Sequence, residues 1–318
     1  MPSYLQDRRK QDKINKKFTL MNFTLCICTR SNEKLCKILV DSILNQNFKK
    51  FKIIIQDNTC YSENQKTLYE SLKPLIENDS RFTFIQEECS GLSESRNICI
   101  DACQTEYIHF LDDDVWINEN FCQNLNNYLI NNDVACIGGK SLPDWSFAKK
   151  PDWLTPNCLM LLSMIDYGDE VKEFGANNGV PVLVGANICF KKEKLLKYGK
   201  FSTNLGRKGS TNSLLGNEEY DLLLKMEGNE KIFYVPNISV MHFVKPERIN
   251  KEWFIKRSAW QAASDIMSGN NWMSNIPNQS YMIKRAAFSI ANDPTNDIDN
   301  ILYNIQYLTY QLLSGKIK

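Results

Sequence analysis

The sequence has no surplus charge of either sign, only two histidines, and no Cys-x-x-Cys pair. With 38 basic against 37 acidic residues, it lacks the excess that attracts nucleic acid, and a nucleic-acid-binding protein is not indicated. The eleven cysteines include no Cys-x-x-Cys, which speaks against a zinc cluster or a disulfide framework and predicts reduced core thiols in a cytoplasmic protein. No N-terminal apolar stretch resembles a signal peptide, and no run approaches the ~20 apolar residues that span a bilayer. The expectation is a soluble or peripheral protein. Gly-x-Gly-x-x-Gly after a strand and Gly-x-x-x-x-Gly-Lys-Ser/Thr are also missing, so dinucleotide dehydrogenases and P-loop enzymes fit poorly. Any bound phosphate falls to a metal and to side chains.

What is present is a chain of 318 residues, 43% apolar, enough for one large α/β domain and a smaller appendage. Charge is uneven only near the start, where Arg8, Arg9, Lys10, Lys13, Lys16 and Lys17 face a single acid, Asp12. Residues 1–18 read as a solvated basic arm, with contact to an anionic membrane surface as the alternative.

Most of the chemistry gathers at Tyr107–Val115, an apolar run that ends in Asp112, Asp113 and Asp114. Such a run reads as a buried strand delivering its carboxyl end to a place where negative charge is wanted. Clustered carboxylates are costly without a counter-charge, and Mg2+, Mn2+ or Ca2+ with oxygen ligands offsets that cost; a solvated acidic turn is the plainer reading. Alternation along an extended segment puts Asp112 and Asp114 on one side and Asp113 on the other.

Phe23–Cys28 reads as a strand, followed by a polar turn at Thr29 and Arg30, a helix through Leu35, Leu39 and Ile43, and a second strand Phe51–Gln56 ending at Asp57. This βαβ unit predicts parallel strands with a ligand site at their carboxyl ends, so Thr29, Arg30 and Asp57 share a rim. Glu63–Asn78 reads as a helix, Phe82–Gln86 as a strand, and Gly91–Cys103 as a helix carrying Arg96. That helix feeds the acidic strand and brings the Asp triplet to the same rim.

Further on, Trp145 and Trp153 lie beside Pro and Asp, where they serve as loop anchors or as sugar-stacking contacts. Val180–Phe190 reads as a strand pair or bent strand, with small residues at Gly185 and Ala186 that allow close approach of a ligand or backbone. Gly206, Gly209 and Gly216 make a flexible loop before a helix opening at Asn217-Glu218-Glu219. Carboxylates in a first turn suit the helix dipole, and two glutamates behind a Gly-rich loop also suit a general base beside a closing lid. Phe233–Pro236 and Ile238–His242 read as an edge strand, with His242 either structural or a further metal ligand.

Taken together, Ile27–Asn32, Ser42–Gln46, Asp57-Asn58, Arg96-Asn97, Leu111–Asp114, Gly185–Asn187, Gly216–Leu222 and Val235–His242 make residues 23–245 resemble a family 2 glycosyltransferase of the GT-A fold. The resemblance implies a Rossmann-like, mostly parallel central sheet flanked by helices. It also implies inverting transfer of a sugar from a UDP-, GDP- or dTDP-sugar to a hydroxyl of a glycan, lipid-linked or other acceptor, assisted by Mg2+ or Mn2+. By this likeness Thr29 and Arg30 line the nucleoside pocket, Asp57 contacts the base and Arg96 lies near the diphosphate or base. Asp112 sits near the ribose and the metal, Asp114 holds the metal that bridges the phosphates, and His242 completes its shell. Asp113 joins the nucleotide contacts or serves only the turn, and Gly185, Ala186 and Asn187, with Trp145 and Trp153, are candidate sugar or acceptor contacts. The usual Glu-Asp base motif is Glu218-Glu219 here. Glu219 stands where the Asp base would, one methylene longer, which leaves the choice between the two open.

Two alternatives remain at this point. A sugar-phosphate nucleotidyltransferase would carry a Gly-rich N-terminal loop where this chain has Cys28-Thr29-Arg30-Ser31-Asn32. A degenerate nucleotide-sugar-binding protein would not need Asp112, Asp114, Glu218, Glu219 and His242 intact. The expected division is a basic arm at 1–18, a GT-A domain at 19–245 and a helical region at 246–318. In the last, Trp253, Trp260, Ala263 and Met267 share one face, and Ile298, Ile301, Leu302, Ile305, Leu308 and Leu312 form an apolar stripe. These faces pack on the catalytic domain or on each other, or lie on a membrane toward a lipid-linked acceptor.

Overall fold

Phe23, Leu25, Cys26 and Ile27 are all fully buried, so the first strand is covered on both faces, as a parallel sheet between helices requires. The computed structural model describes residues 23–30, 32–62, 65–88, 91–174, 182–208, 213–270, 273, 279–292 and 297–315. The expected basic arm, Gly209 of the Gly-rich loop and the start of the 180–190 stretch lie outside these residues.

The chain runs β1 (Phe23–Thr29), α1 (Glu33–Leu44), β2 (Lys52–Asp57), α2 (Leu68–Ile76), β3 (Phe82–Gln86), α3 (Leu92–Ala102) and β4 (Tyr107–Asp112). β5 (Val115–Ile117), α4 (Phe121–Asn131), β6 (Cys136–Gly138), β7 (Ser141–Asp144), α5 (Pro156–Leu161), β8 (Lys172–Phe174), β9 (Asn187–Lys191) and α6 (Lys192–Lys197) follow. The last elements are α7 (Glu218–Met226), β10 (Ile232–Tyr234), β11 (Val240–Phe243), α8 (Lys251–Met267), α9 (Gln279–Asn292) and α10 (Ile298–Leu313). Eight strands form the central sheet in the order β3-β2-β1-β4-β9-β6-β10-β8, parallel from β3 through β4. The chain moves outward from β1 to β3 and then crosses back to β4 on the other side of β1. That reversal is the topological switch point, and the carboxyl ends of β1 and β4 open a crevice there.

A smaller sheet, β5-β11-β7, stands beside the large one. It divides what the sequence suggested was one edge strand: Ile232–Tyr234 joins the central sheet, and Val240–Phe243 joins the small one. Pro236 cannot donate to a ladder, and the chain turns at Val235, whose carbonyl accepts from Ile238 N. The helix expected over 63–78 begins only after Thr67, where a capping box with Glu70 fixes its start. Of the described part of the 180–190 stretch, only Asn187 onward is strand, and Gly185 and Ala186 form a turn.

Helices α8 and α10 pack against each other, and their ends join α5 and its flanks through Leu154, Cys158, Leu162, Phe254, Ile298 and Leu302. The buried side of α8 is Phe254, Ser258, Ala262 and Asp265, and Met267 is half exposed. The helix is therefore rotated from the expected Trp-rich face, because its inward side meets polar groups. In α10, Ile298 and Leu302 are buried as expected, but Leu312 is exposed and Tyr307, Tyr310 and Gln311 take the inner positions. Among the described residues no helix is long and apolar enough to cross a membrane.

Candidate active site

Parallel register aligns Thr29 with Asp57 and Cys28 with Asp112, so the polar ends of β1, β2 and β4 meet on one rim. β4 ends at Asp112, and Asp113 and Asp114 form the turn into β5. Asp113 points back: it accepts from Thr29 Oγ1 at 2.6 Å and Asn32 Nδ2 at 2.7 Å, which locks the turn. Burial and neighbouring Asp114 push its carboxyl up to about 7 against those bonds. Asp57 is fully buried and accepts from Thr59 N at 3.0 Å and Tyr61 Oη at 2.5 Å. Arg30 lines the adjoining cavity.

Asp114 is buried, accepting from His242 Nε2 at 3.1 Å and Lys245 Nζ at 2.7 Å. The small sheet makes this contact, since His242 pairs with Val115, and Phe243 N donates to Asp114 O. Burial opposes ionisation of Asp114, but His242 and Lys245 hold the carboxyl well below its usual range. Asp112, Asp114 and His242 each offer a ligand atom, all within 4.8 Å of one another. Two carboxylates and one imidazole are a donor set that suits Mn2+ or Mg2+, so the residues fit the implied cation. Ser141 Oγ, 3.5 Å from His242 Nδ1, faces the other ring nitrogen and orients the imidazole.

Arg96, 2% exposed, occupies the centre. The resemblance implies a place for it near the diphosphate or base; in this structure its Nη1 donates to Glu219 at 2.7 Å and Glu218 at 2.9 Å, and its Nη2 to Asp112 at 3.3 Å. One guanidinium thus joins Asp112 of the candidate metal set to the two glutamates. Burial, then the charge of Glu218, raises Glu219 to about 7, with Arg96 pulling the other way. Gly185 makes room for this cluster: a Cβ there would lie 2.0 Å from both Arg96 Nη2 and Glu219 Oε1. Ala186 and Asn187 are fully buried, and the Asn187 amide bonds His109 and the carbonyls of Lys140 and Ile238, so it braces strands.

The glutamates are aimed from behind by α8. Asn217, left-handed at φ +69, precedes Glu218; its Nδ2 donates to Asp265 at 2.8 Å, and its Oδ1 accepts from Gln261 at 2.8 Å. Gly216 N donates to Ser264 Oγ at 3.0 Å. Asp265 is buried and also accepts from Gln306 of α10.

Asp112, Asp114, Glu218, Glu219 and His242 line one cavity of about 900 Å3. Trp145 and Trp153 are not among its lining residues and pack in the apolar cluster around Phe254. Three cavity arginines, Arg207, Arg248 and Arg257, escaped the sequence reading, as did Lys245. The usable signal was Lys245 and Arg248, three and six residues after His242 and just at the expected domain edge.

The profile of glycosyl transferase family 2 matches residues 24–198. A glucosyl-dolichyl phosphate glucuronosyltransferase of Haloferax volcanii is 24% identical over 249 residues, 77% of this chain and 76% of that protein. Among solved structures, the mannosyltransferase PcManGT from Pyrobaculum calidifontis, in complex with GDP-Man and Mn2+, aligns at TM-score 0.58 and 14% identity, covering 95% of this chain and 89% of that one. S. aureus TarS 1-349 in complex with UDP-GlcNAc aligns at TM-score 0.55 and 13% identity, over 93% and 92% of the two chains. Against a longer TarS chain the match covers 55% of that chain. At these identities the structural likeness concerns the fold alone, which is GT-A.

Proposed function

The chain belongs to glycosyl transferase family 2, and from that premise we propose that it is an inverting, metal-assisted transferase. It moves a sugar from a nucleoside-diphosphate donor to a hydroxyl of a glycan or lipid-linked acceptor. The observation that carries the reading is the bridge made by Arg96, whose two ends bond Asp112 of the candidate metal set and Glu219. A cation site and a carboxylate near neutrality then face one cavity, as a single displacement needs.

Thr29, Arg30 and Asp57 hold the nucleoside end. Asp112, Asp114 and His242 hold Mg2+ or Mn2+, which when bound neutralises the departing diphosphate as a Lewis acid. Glu219 takes the proton from the acceptor hydroxyl as its oxygen bonds to the anomeric carbon. The carbon–oxygen bond to the diphosphate breaks on the opposite face, and its electron pair leaves with the nucleotide. Glu219 is favoured over Glu218 because its carboxyl is the more open of the two, 12% against 5% exposed, and is raised to about 7, near the pH at which it must work. Arg96 orients it.

GDP-Man and UDP-GlcNAc in the structural neighbours support a GDP- or UDP-sugar donor, with dTDP-sugars as the third class to test. The relative named for glucosyl-dolichyl phosphate supports a lipid-linked acceptor. A panel of UDP-, GDP- and dTDP-sugars screened by thermal unfolding with and without Mn2+ tests the donor reading. One donor class is expected to raise Tm only with metal, and the Asp114→Ala chain is expected to lose that shift. At ligand one hundred times Kd the stabilisation is about 2.7 kcal/mol. No shift with any donor and metal overturns the reading.

A further inference from the structure

The acids of the cavity already have partners. Asp114 bonds His242 and Lys245, and Arg96 takes Asp112, Glu218 and Glu219. Asp299 accepts from Thr155 and Asn157, and Asp265 accepts from side-chain amides. Arg207, Arg248 and Arg257 line the same space, yet none forms an ion pair with a carboxylate among the described residues. Arg257 is the sharpest case. Its Nε and Nη1 are buried with no hydrogen-bond partner among the described residues, an arrangement that costs free energy until something accepts from them. A Cβ on Gly216 would lie 3.4 Å from Arg257 Nη2, which puts the guanidinium beside the loop that leads into Glu218.

The three cations also repel one another. Burial, then Arg207, lowers Arg257 to about 10, and burial, then Arg248, lowers Arg207. Confined guanidinium groups of like charge call for an anion, and several planar forks together match the oxygens of a phosphate better than one carboxylate. The donor diphosphate has its own countercharge in the cation that Asp112, Asp114 and His242 would hold.

We infer that Arg207, Arg248 and Arg257 form a second anion site that holds a phosphate carried by the acceptor, beside the glutamates that receive the acceptor's proton. This rests on the transferase reading and narrows it to acceptors bearing a phosphate, whether on a lipid or on a soluble sugar.

Titration of the full chain with inorganic phosphate in EDTA, followed by calorimetry, tests the site without metal. One saturable site is expected, weakened by about tenfold or more in R248Q/R257Q, since hydrogen bonds to a charged group are removed. R257K, which keeps the charge but not the fork, is expected to bind more weakly than the parent chain and more tightly than R248Q/R257Q, which separates loss of the site from loss of the fold. The titration is repeated with UDP, GDP or dTDP and Mg2+, where phosphate is expected to bind still. Under the same saturation, phosphodiester-linked lipid and soluble sugar phosphate compete with phosphate according to which one is the source. The inference is overturned if the parent chain shows no saturable binding, if R248Q/R257Q binds as it does, or if the nucleotide displaces phosphate. Failure of every nucleotide to bind would count against the donor reading while the EDTA titration still decides this one.

Discussion

Glu219 is buried beside a second carboxylate, so its protonation and the reaction it serves are tied to one balance. Its carboxyl is raised from an ordinary 4.5 to about 7. A carboxyl raised in this way stabilises the fold fully below pH 4.5 and loses that contribution as pH rises through about 7. Transfer needs the ionised form, which folding favours least. The kcat/KM for transfer is therefore expected to rise about tenfold per pH unit below neutrality and level off above it, and Glu219→Gln to cut kcat by roughly 10²–10⁴ with donor binding retained. A steady-state pH profile of both chains checks this; a flat profile for the parent chain, or near-normal turnover by Glu219→Gln, would sink the assignment. At this scale the sequence was informative where spacing constrains geometry. Asp112 and Asp114 share a side, with Asp113 turned away, as alternation predicts, although the strand stops at Asp112 and it is the turn, held by the Asp113 bonds to Thr29 and Asn32, that sets the arrangement. The partners of Arg96 were not legible, since its two contacts on α7 lie over a hundred residues away and depend on a gap at Gly185 that no local pattern encodes.

Among the elements, α8 matters most for a reason its hydrophobic pattern concealed. The Trp-rich face invited an apolar packing reading, but the inward side carries Ser258, Ser264 and Asp265. Ser264 and Asp265 satisfy the Gly216 N–H and the Asn217 side-chain amide, which a short left-handed turn leaves exposed at the start of α7. Polar positions that serve a distant helix start look like a solvated face in sequence. Asp265→Ala is expected to release Asn217 and cost about 1–3 kcal/mol by leaving buried donors unpaired. It should also lower kcat while leaving metal-dependent donor binding in place. Urea unfolding and kinetics read both, and an unchanged kcat would separate α8 from the positioning of the glutamates.

For the whole molecule, the βαβ unit and the shared rim were legible because parallel strands and short connections permit few topologies. That residues beyond 245 supply part of the cavity wall was not legible, because those contacts are long-range. The outer face of α9 bears Tyr281, Lys284, Arg285 and Phe288 at helical spacing, with Phe288 70% exposed and no acid on the helix. Aromatic and cationic groups on one face suit an anionic lipid surface. The full chain is expected to float with vesicles containing phosphatidylglycerol and not with neutral ones, and K284E/R285E to lose that preference; equal flotation of both chains would speak against the face.

The most direct measurement is release of nucleoside diphosphate from the donor sugar that binds, followed with Mn2+ and with EDTA in the parent chain and in Asp114→Ala. Release by the parent chain with Mn2+, its loss in EDTA, and its absence from Asp114→Ala in either condition are the predicted results. Turnover that persists in EDTA, or an Asp114→Ala chain as active as the parent, would contradict a cation held by Asp112, Asp114 and His242.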